Sequence, residues 1–258
     1  MNSIKKTFII AKYTFLDLLK SRILILIILL GLAILTISYV ASELTFGVPQ
    51  KVSLDFGLGV LTLGLVGIAI FMGATLIIKE IESRTLYMML SRPVSREVFL
   101  LGKMFGLLQL LALATLILGL LSISMFVLLG GTVNDTIIYC TLLIFLEAAL
   151  AMLITICFSL VTNSVASVVY TLALYVAGHA IGELKQFGYV LNRPFLAKFL
   201  KFYEIVFPNF SKINIKDYVL YDVSLPHGYT QNAFIYASAY SFFLLFIIIT
   251  VFKHKELD

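Results

Sequence analysis

Apolar runs of about 20 residues recur six times along the chain, separated by shorter polar segments. An α-helix of that length crosses a hydrocarbon core roughly 30 Å thick. The runs lack the strict alternation of barrel strands, and backbone groups in lipid must be satisfied within the segment, so the pattern predicts helices. The predicted spans are about Ile23–Ser42, Phe56–Ile78, Met104–Leu129, Ile137–Val161, Val165–Ile181 and Ala233–Phe252.

The segment before the first run, within residues 1–22, is amphipathic. Its apolar side chains recur at helical spacing while its lysines fall on another side, which predicts a helix. Such a helix lies in the plane of the membrane interface. A signal that only orients the chain would show the same pattern. The apolar positions are Ile4, Phe8, Ala11, Phe15 and Leu18.

The segment 183–232, between the fifth and sixth runs, contains a second amphipathic helix, predicted from Pro194 to Phe207. Proline suits a first helical position, and Pro208 ends the helix. The sequence P-N-F-S-K-I-N-I-K-D that follows is typical of turns with an irregular connection. We expect the segment to form a lid over the bundle, and a receptor-like binding role is the alternative. The apolar face of the helix comprises Phe195, Phe199, Phe202 and Val206.

Composition and charge place the chain in a membrane and orient it there. The chain is 61% hydrophobic and 13% charged, which excludes an ordinary soluble domain and indicates one membrane domain over residues 1–258. Lys and Arg concentrate before the first span, in the second loop and after the last span, whereas the first loop has only Lys51. Both termini and the second loop are therefore predicted to be cytoplasmic. The net charge of +5 follows from this orientation and requires no nucleic acid.

The second loop, residues 79–103, is unusually polar. It holds five of the 19 Lys and Arg residues and three of the 14 Asp and Glu residues. A connection between two spans needs only a few turn residues. This loop is therefore the first candidate for contact with a partner in water.

The loop pattern predicts two helices with a break between them. A short helix is capped by Ser83 or Thr85 and ends before Pro93, because proline disfavours helical geometry at the preceding residue. A second helix begins at Ser95, with Glu97 in its first turn, and runs into the third span. A short amphipathic helix suits docking into the groove of a partner, and an interfacial connector has the same pattern. Its apolar face comprises Leu86, Met89 and Leu90.

Two ionisable residues fall inside predicted spans. Glu147 lies in the middle of the fourth span and His179 near the outer end of the fifth. Ionisable groups at that depth are costly, and proton coupling through the pair is one hypothesis. A buried Glu147 that is hydrogen-bonded within the bundle or at a dimer seam is the alternative. The glycines of the second span, by contrast, indicate close helix packing; they are Gly57, Gly59, Gly64, Gly67 and Gly73.

The chain has no visible catalytic motif. It lacks G-x-x-x-x-G-K-[ST], H-E-x-x-H and G-x-S-x-G, and its three histidines are too scattered to suggest a metal site. Cys140 and Cys157 lie in one predicted helix about 25 Å apart, so they cannot form a disulfide with each other. We therefore expect no enzyme activity and no bound cofactor or metal.

The loop sequence E-I-E-S-R-T-L-Y-M-M-L-S-R-P-V-S-R-E-V-F-L-L-G-K closely resembles the loop after the second span of ABC-2 type transporter permeases. The likeness extends over the whole chain: the amphipathic N-terminal helix, six spans, the loop after span five, P-N-F-S-K-I-N-I-K and the terminal F-K-H-K-E-L. The chain is most similar to the branch that includes the nitrous-oxide-reductase maturation and gliding-motility permeases.

The resemblance implies the all-α, six-span membrane subunit of an ATP-binding cassette exporter in a bacterial or archaeal plasma membrane. A separate ATPase would bind ATP and Mg²⁺, and two permeases, identical or related, would pair with two ATPases. Segment 79–103 would be the coupling helix, the turn at Thr162–Ser164 a second contact, and short helices after span five an outer gate. The implied coupling residues are Glu80, Glu82, Arg84, Thr85, Leu86, Met89, Leu90, Arg92, Pro93 and Arg96.

Within that set, Leu86, Met89 and Leu90 are the predicted apolar contacts, and Arg92 and Arg96 the predicted clamps to the ATPase or to headgroups. Two other functions stay open on the residues alone. One is a proton-coupled secondary transporter that uses Glu147 and His179. The other is a membrane protease that uses Glu80 and Glu82, for which the sequence offers no further ligands at the same place.

Overall fold

The computed structural model describes residues 3–45, 47–82, 95–184, 193–221, 223 and 225–255. This part of the chain is helical almost throughout and contains no strand. The helices are α1 Ser3–Lys20, α2 Ile23–Glu43, α3 Pro49–Leu76, α4 Ile78–Glu82, α5 Arg96–Leu128, α6 Asp135–Val161, α7 Ser164–Leu184, α8 Pro194–Val206, a 3-10 helix Phe210–Lys212, α9 Lys216–Leu220 and α10 Tyr229–His254.

Six helices in the described residues are long and apolar enough to cross a membrane, which confirms the predicted all-α, six-span class. They are α2, α3 with its extension α4, α5, α6, α7 and α10. Two of them begin earlier than their apolar runs: α3 starts at Pro49 and α5 at Arg96. A helix can extend into the headgroup region, where its side chains are polar. Hydropathy alone therefore predicts the first residue of such a helix too late in the sequence.

Helices α3 and α6 form the centre of the bundle. Each buries 67% of its most apolar window against the rest of the chain, whereas α10 buries 17%. Helix α3 packs on α2, α5 and α6, and α10 packs mainly on α6. The loop between α5 and α6 turns sharply at Gly130, whose φ of +91° favours glycine.

The glycines of α3 serve helix packing only in part. A Cβ at Gly64 would lie 2.8 Å from Leu30 of α2, and a Cβ at Gly73 would lie 3.3 Å from the carbonyl oxygen of Met152 in α6. Gly57 faces Ser122 of α5 more closely still, because a Cβ there would lie 2.2 Å from the Ser122 hydroxyl oxygen. A Cβ at Gly59 or Gly67 would meet no atom of the described chain within 4 Å. The packing prediction is therefore confirmed for three of the five glycines.

Helix α1 lies against the first half of α5. Gly102 and Gly106 of α5 provide the close approach, since a Cβ at Gly106 would lie 2.8 Å from the carbonyl oxygen of Ala11. Only part of the predicted apolar face of α1 is buried in the bundle. Ala11 and Leu18 are buried on α5, whereas Ile4 and Phe8 are 76% and 69% exposed.

We call segment 183–232 the outer segment, after its predicted location. Its described part contains more regular structure than its turn residues predicted. Helix α8, Pro194–Val206, agrees with the prediction, and its apolar face is exposed within the chain. The sequence after it forms the 3-10 helix and α9 instead of an irregular connection. Asn214 explains the start of α9, because its Oδ1 accepts a hydrogen bond from the N–H of Lys216 at 3.1 Å.

Candidate functional site

Helices α4 and α5, which flank segment 83–94, are joined at the end of the bundle that is predicted to be cytoplasmic. Glu80 of α4 forms an ion pair with Lys103 of α5, and both side chains are largely buried. Ser95 begins α5, and its Oγ accepts a hydrogen bond from the N–H of Val98 at 3.4 Å, as the predicted helix start requires. The helices on either side of segment 83–94 are therefore joined to each other by this ion pair.

Three of the ten predicted coupling residues lie in the described chain. Glu80 faces Lys103, Arg96 opens α5, and Glu82 ends α4 with a side chain that is outside the described part. Glu80 and Arg96 are held on different elements, the first against α5 and the second against the end of α10. The other seven predicted positions lie outside the described residues: Arg84, Thr85, Leu86, Met89, Leu90, Arg92 and Pro93.

Arg96 has a partner within the chain that the sequence analysis did not anticipate. Its Nη1 donates to the carbonyl oxygen of Lys255 at 3.2 Å, just beyond the last turn of α10, and lies 3.5 Å from that of Lys253. Carbonyls at a helix C-terminus lack intrahelical partners and attract a cation. Lys253 in turn forms an ion pair with Glu97. The start of α5 is thus tied to the end of α10.

Lys255 extends this contact to the turn between α6 and α7. Its Nζ donates to the carbonyl oxygen of Leu160 at 2.7 Å, in the last turn of α6. Partial burial lowers the pKa of the Lys255 amine. In the turn itself, Oδ1 of Asn163 accepts from the N–H of Ala166 at 2.8 Å and caps α7. The sequence carries one trace of this network, the K-H-K at the end of the last span. Its lysines indicate how the span is oriented in the membrane and do not identify their partners.

Glu147 and His179 meet inside the bundle. His179 Nε2 lies 2.8 Å from Oε1 of Glu147, and the hydroxyl of Tyr175 donates to the same oxygen at 2.6 Å. The carboxylate is almost fully buried, with 3% of the side chain exposed. Tyr175 was missed from the sequence, although it lies four residues before His179 and so on the same helix face. We call Glu147, Tyr175 and His179 the polar cluster.

Phe210 of the outer segment covers the polar cluster. Its ring stacks on His179 with centroids 5.7 Å apart and lies 5.0 Å from the ring of Tyr175. Gly178 makes this possible, because a Cβ there would fall 2.6 Å from both Phe210 Cδ2 and the carbonyl oxygen of Pro208. The N–H of Asn209 donates to the hydroxyl of Tyr236 in α10 at 2.8 Å. The outer segment is therefore docked on both α7 and α10.

The chemistry available to the described residues is hydrogen bonding and proton transfer. The polar cluster holds one carboxyl oxygen that accepts from the hydroxyl of Tyr175 and lies within hydrogen-bond distance of Nε2 of His179, one turn further along α7. No group of three or more His, Cys, Asp or Glu side chains in the described chain could hold a metal ion. Cys140 and Cys157 are free thiols.

A comparison with protein-family models matches residues 8–257 to the family described as ABC-2 family transporter protein. A search of curated proteins finds no match. The family match covers all six spans, segment 79–103 and the outer segment. Members of such a family are membrane subunits of transporters and are generally not catalytic themselves. The chain therefore belongs to the ABC-2 family of transporter proteins, as a multi-pass permease of an ABC transporter.

Proposed function

We propose that this permease is the membrane subunit of an ATP-driven exporter and that segment 79–103 is its docking point for a separate ATPase. The observation that best supports the docking point is the buried ion pair between Glu80 and Lys103. It joins the two helices from which the segment emerges, so a force applied to the segment reaches both of them together.

The packing of these two helices supports a lever mechanism. Helix α4 continues α3, which lies at the centre of the bundle, and α5 packs on α3 along its length. ATP and Mg²⁺ bind to the partner, and closure of two ATPases moves the segment. The movement changes how α3 and α5 pack and opens a path between two paired permeases. The turn at Thr162–Ser164 makes the second, smaller contact.

The test is Leu90→Asp, which places a charge on the predicted apolar docking face. The tagged protein is extracted in mild detergent from its own host, and the associated proteins are identified and quantified. We expect an ATPase in a stoichiometric ratio with the wild-type permease and a loss of at least tenfold in the variant, since a buried unpaired charge costs several kcal/mol.

The matched control is Leu44→Asp, the same change at an exposed position beyond α2 on the opposite side of the bundle. This variant is expected to keep the ATPase. Retention of the ATPase by Leu90→Asp would place the docking contact elsewhere. Absence of any ATPase from an intact wild-type sample would contradict the proposed function.

A second candidate function is favoured by one observation, the contact between Glu147 and His179. The chain would then be a proton-coupled transporter in which this pair exchanges a proton. Glu147→Gln keeps the shape of the side chain and removes its titration. Under the ATP-driven proposal, transport survives this change and stops when ATP is depleted. The proton-coupled candidate requires the opposite result in both measurements.

A further inference from the structure

An open groove of about 550 Å³ lies between α1 and α5 on the surface of the bundle. Phe8 and Phe15 of α1 form one side of it, and Leu113 and Leu116 of α5 form the other. Phe8 and Leu116 are 69% and 63% exposed, so the groove opens away from the bundle. An exposed apolar surface of this kind marks a contact with lipid or with another protein.

Two polar side chains enter this apolar groove. Lys12 of α1 is the only charged residue among the described residues that line it, and Gln109 of α5 carries the only amide there. Neither side chain has a hydrogen bond, an ion pair or a ring contact within the part of the chain that the structure describes. A polar group that faces hydrocarbon without a partner is costly. A ligand that supplies an anion and a hydrogen-bond acceptor would stabilise both residues.

The polar and apolar residues follow each other in order of depth along α5. The backbone of α1 approaches Gly106 just beside Lys12, two residues after the predicted start of the third span. Gln109 is five residues inside that span, about 7.5 Å along the helix axis. Leu113 and Leu116 lie one and two turns deeper on the same face. The groove therefore runs from a cation near the membrane surface, past an amide, to apolar side chains in the hydrocarbon.

We propose that this groove binds one anionic glycerophospholipid from the leaflet that is predicted to be cytoplasmic. The ammonium of Lys12 pairs with the phosphate, and the flexible stem of lysine lets that charge reach the headgroup layer. The amide of Gln109 donates to an ester carbonyl of the glycerol linkage, and an acyl chain lies along Leu113 and Leu116. The three parts of the lipid thus match three kinds of side chain in the same order of depth.

The lining favours a lipid over the two other occupants. A free phosphate would use Lys12 alone, and the amide and the leucines at greater depth would have no role. A second copy of this chain would have to bring acceptors for both Lys12 and Gln109 into a largely apolar groove. None of the described lining residues is acidic, so Lys12 favours an anionic ligand from outside the chain. The site does not depend on the proposed ATPase, because its lining belongs to this chain alone.

The experiment is native mass spectrometry of the purified, delipidated full-length permease, titrated with dioleoyl-phosphatidylglycerol or with dioleoyl-phosphatidylcholine. We expect one saturable phosphatidylglycerol adduct per chain and binding of phosphatidylcholine that is several-fold weaker. Lys12→Gln should weaken phosphatidylglycerol binding about fivefold, the factor expected for one lysine near an anionic headgroup. Lys198→Gln makes the same charge change at an exposed position in α8 and should bind normally.

The amide and the apolar part of the groove have their own variants. Gln109→Leu removes one hydrogen bond and should weaken binding by a similar factor, whereas Gln231→Leu, the same change at an exposed position in α10, should not. Ala112→Phe fills the groove and leaves Lys12 in place, so it should remove the saturable adduct. Leu120→Phe is its control, because it adds an exposed ring to α5 outside the groove.

Four results would overturn the proposal. Equal binding of the two phospholipids would remove the role of charge, and normal binding by both Lys12→Gln and Ala112→Phe would place the lipid elsewhere. Displacement of phosphatidylglycerol from the wild-type permease by millimolar inorganic phosphate would assign Lys12 to a free anion. A dimer that dissociates in Lys12→Gln while the lipid adduct persists would assign the groove to a second copy of the chain.

Discussion

Glu147 places a carboxyl group deep in the bundle, with 3% of its side chain exposed. A carboxyl group in a membrane bundle loses its hydration, and this loss is offset only by hydrogen bonds from the protein. The hydroxyl of Tyr175 donates to one carboxyl oxygen, Nε2 of His179 lies within hydrogen-bond distance of the same oxygen, and the ring of Phe210 packs on both side chains. The polar cluster therefore acts as one unit that joins α6, α7 and the outer segment, whatever its part in transport.

Removing the carboxyl group should destabilise this unit. In Glu147→Ala, Tyr175 and His179 lose their shared partner; an unpaired buried donor costs about 1–3 kcal/mol, and the cost here is smaller because both side chains are only partly buried. We expect the thermal midpoint in detergent to fall by several degrees, measured with a maleimide dye that reports exposure of Cys140. Glu147→Gln should recover most of the loss, because its amide oxygen can still accept.

The control for this measurement is Gln109→Ala, which removes a polar side chain of similar length at an exposed position in α5. It should leave the midpoint unchanged. A Glu147→Ala protein as stable as Gln109→Ala would show that the three side chains contribute no net stability. The hydrogen bonds of the polar cluster would then be a consequence of the fold rather than one of its causes.

At the level of elements, α1 is attached to the bundle by backbone contact. Leucine at Gly106 would begin 2.8 Å from the carbonyl oxygen of Ala11, and a backbone atom cannot move aside without moving its helix. Gly106→Leu is therefore expected to detach α1. The measurement is maleimide labelling of Thr14→Cys, a position that is 6% exposed in the native packing. Gly59→Leu, which meets no atom, should leave that cysteine protected, and equal protection in both variants would contradict the contact.

The outer segment depends on a similar approach to α7. A side chain at Gly178 would collide with the ring of Phe210 and with the carbonyl oxygen of Pro208. We expect Gly178→Leu to lift the 3-10 helix away from the polar cluster. Ser211→Cys, placed in that helix, should then react several-fold faster with a membrane-impermeant maleimide added from outside. No change in rate would mean that the segment is held by Tyr236 and α10 rather than by α7.

The sequence predicted the six spans because their signal is local: length and hydropathy suffice. It also placed the start of α5 correctly, because Ser95 and Glu97 carry a cap signal of four residues. The polar cluster was predicted only as two isolated residues, since the contact between Glu147 and His179 depends on how α6 lies against α7. The packing of α1 was not predicted for the same reason: a glycine pair indicates a close approach without naming the partner.

At the scale of the whole molecule, the end predicted to be cytoplasmic is a connected layer. Glu80 and Lys103 join α4 to α5, Arg96 joins α5 to the end of α10, and Lys255 joins that end to α6. In each contact a charged side chain binds either a largely buried carboxylate or a backbone carbonyl. Under the proposed coupling, a displacement that begins at segment 83–94 therefore reaches four spans through this layer: α3 with α4, α5, α10 and α6.

Arg96 belongs to segment 79–103 but not to its predicted apolar face, so a variant at Arg96 tests this layer and leaves Leu86, Met89 and Leu90 unchanged. Arg96→Ala leaves the carbonyls at the end of α10 without their cation, so ATPase binding should persist while transport per ATP hydrolysed falls several-fold. Lys253→Ala is the matched control, because its pair with Glu97 is roughly half exposed and such pairs contribute little. The assay compares substrate export with phosphate release in reconstituted vesicles. An unchanged ratio in Arg96→Ala would exclude the contact between α5 and the end of α10 from coupling. Loss of the ATPase from this variant would instead make Arg96 part of the docking contact, as the sequence analysis predicted.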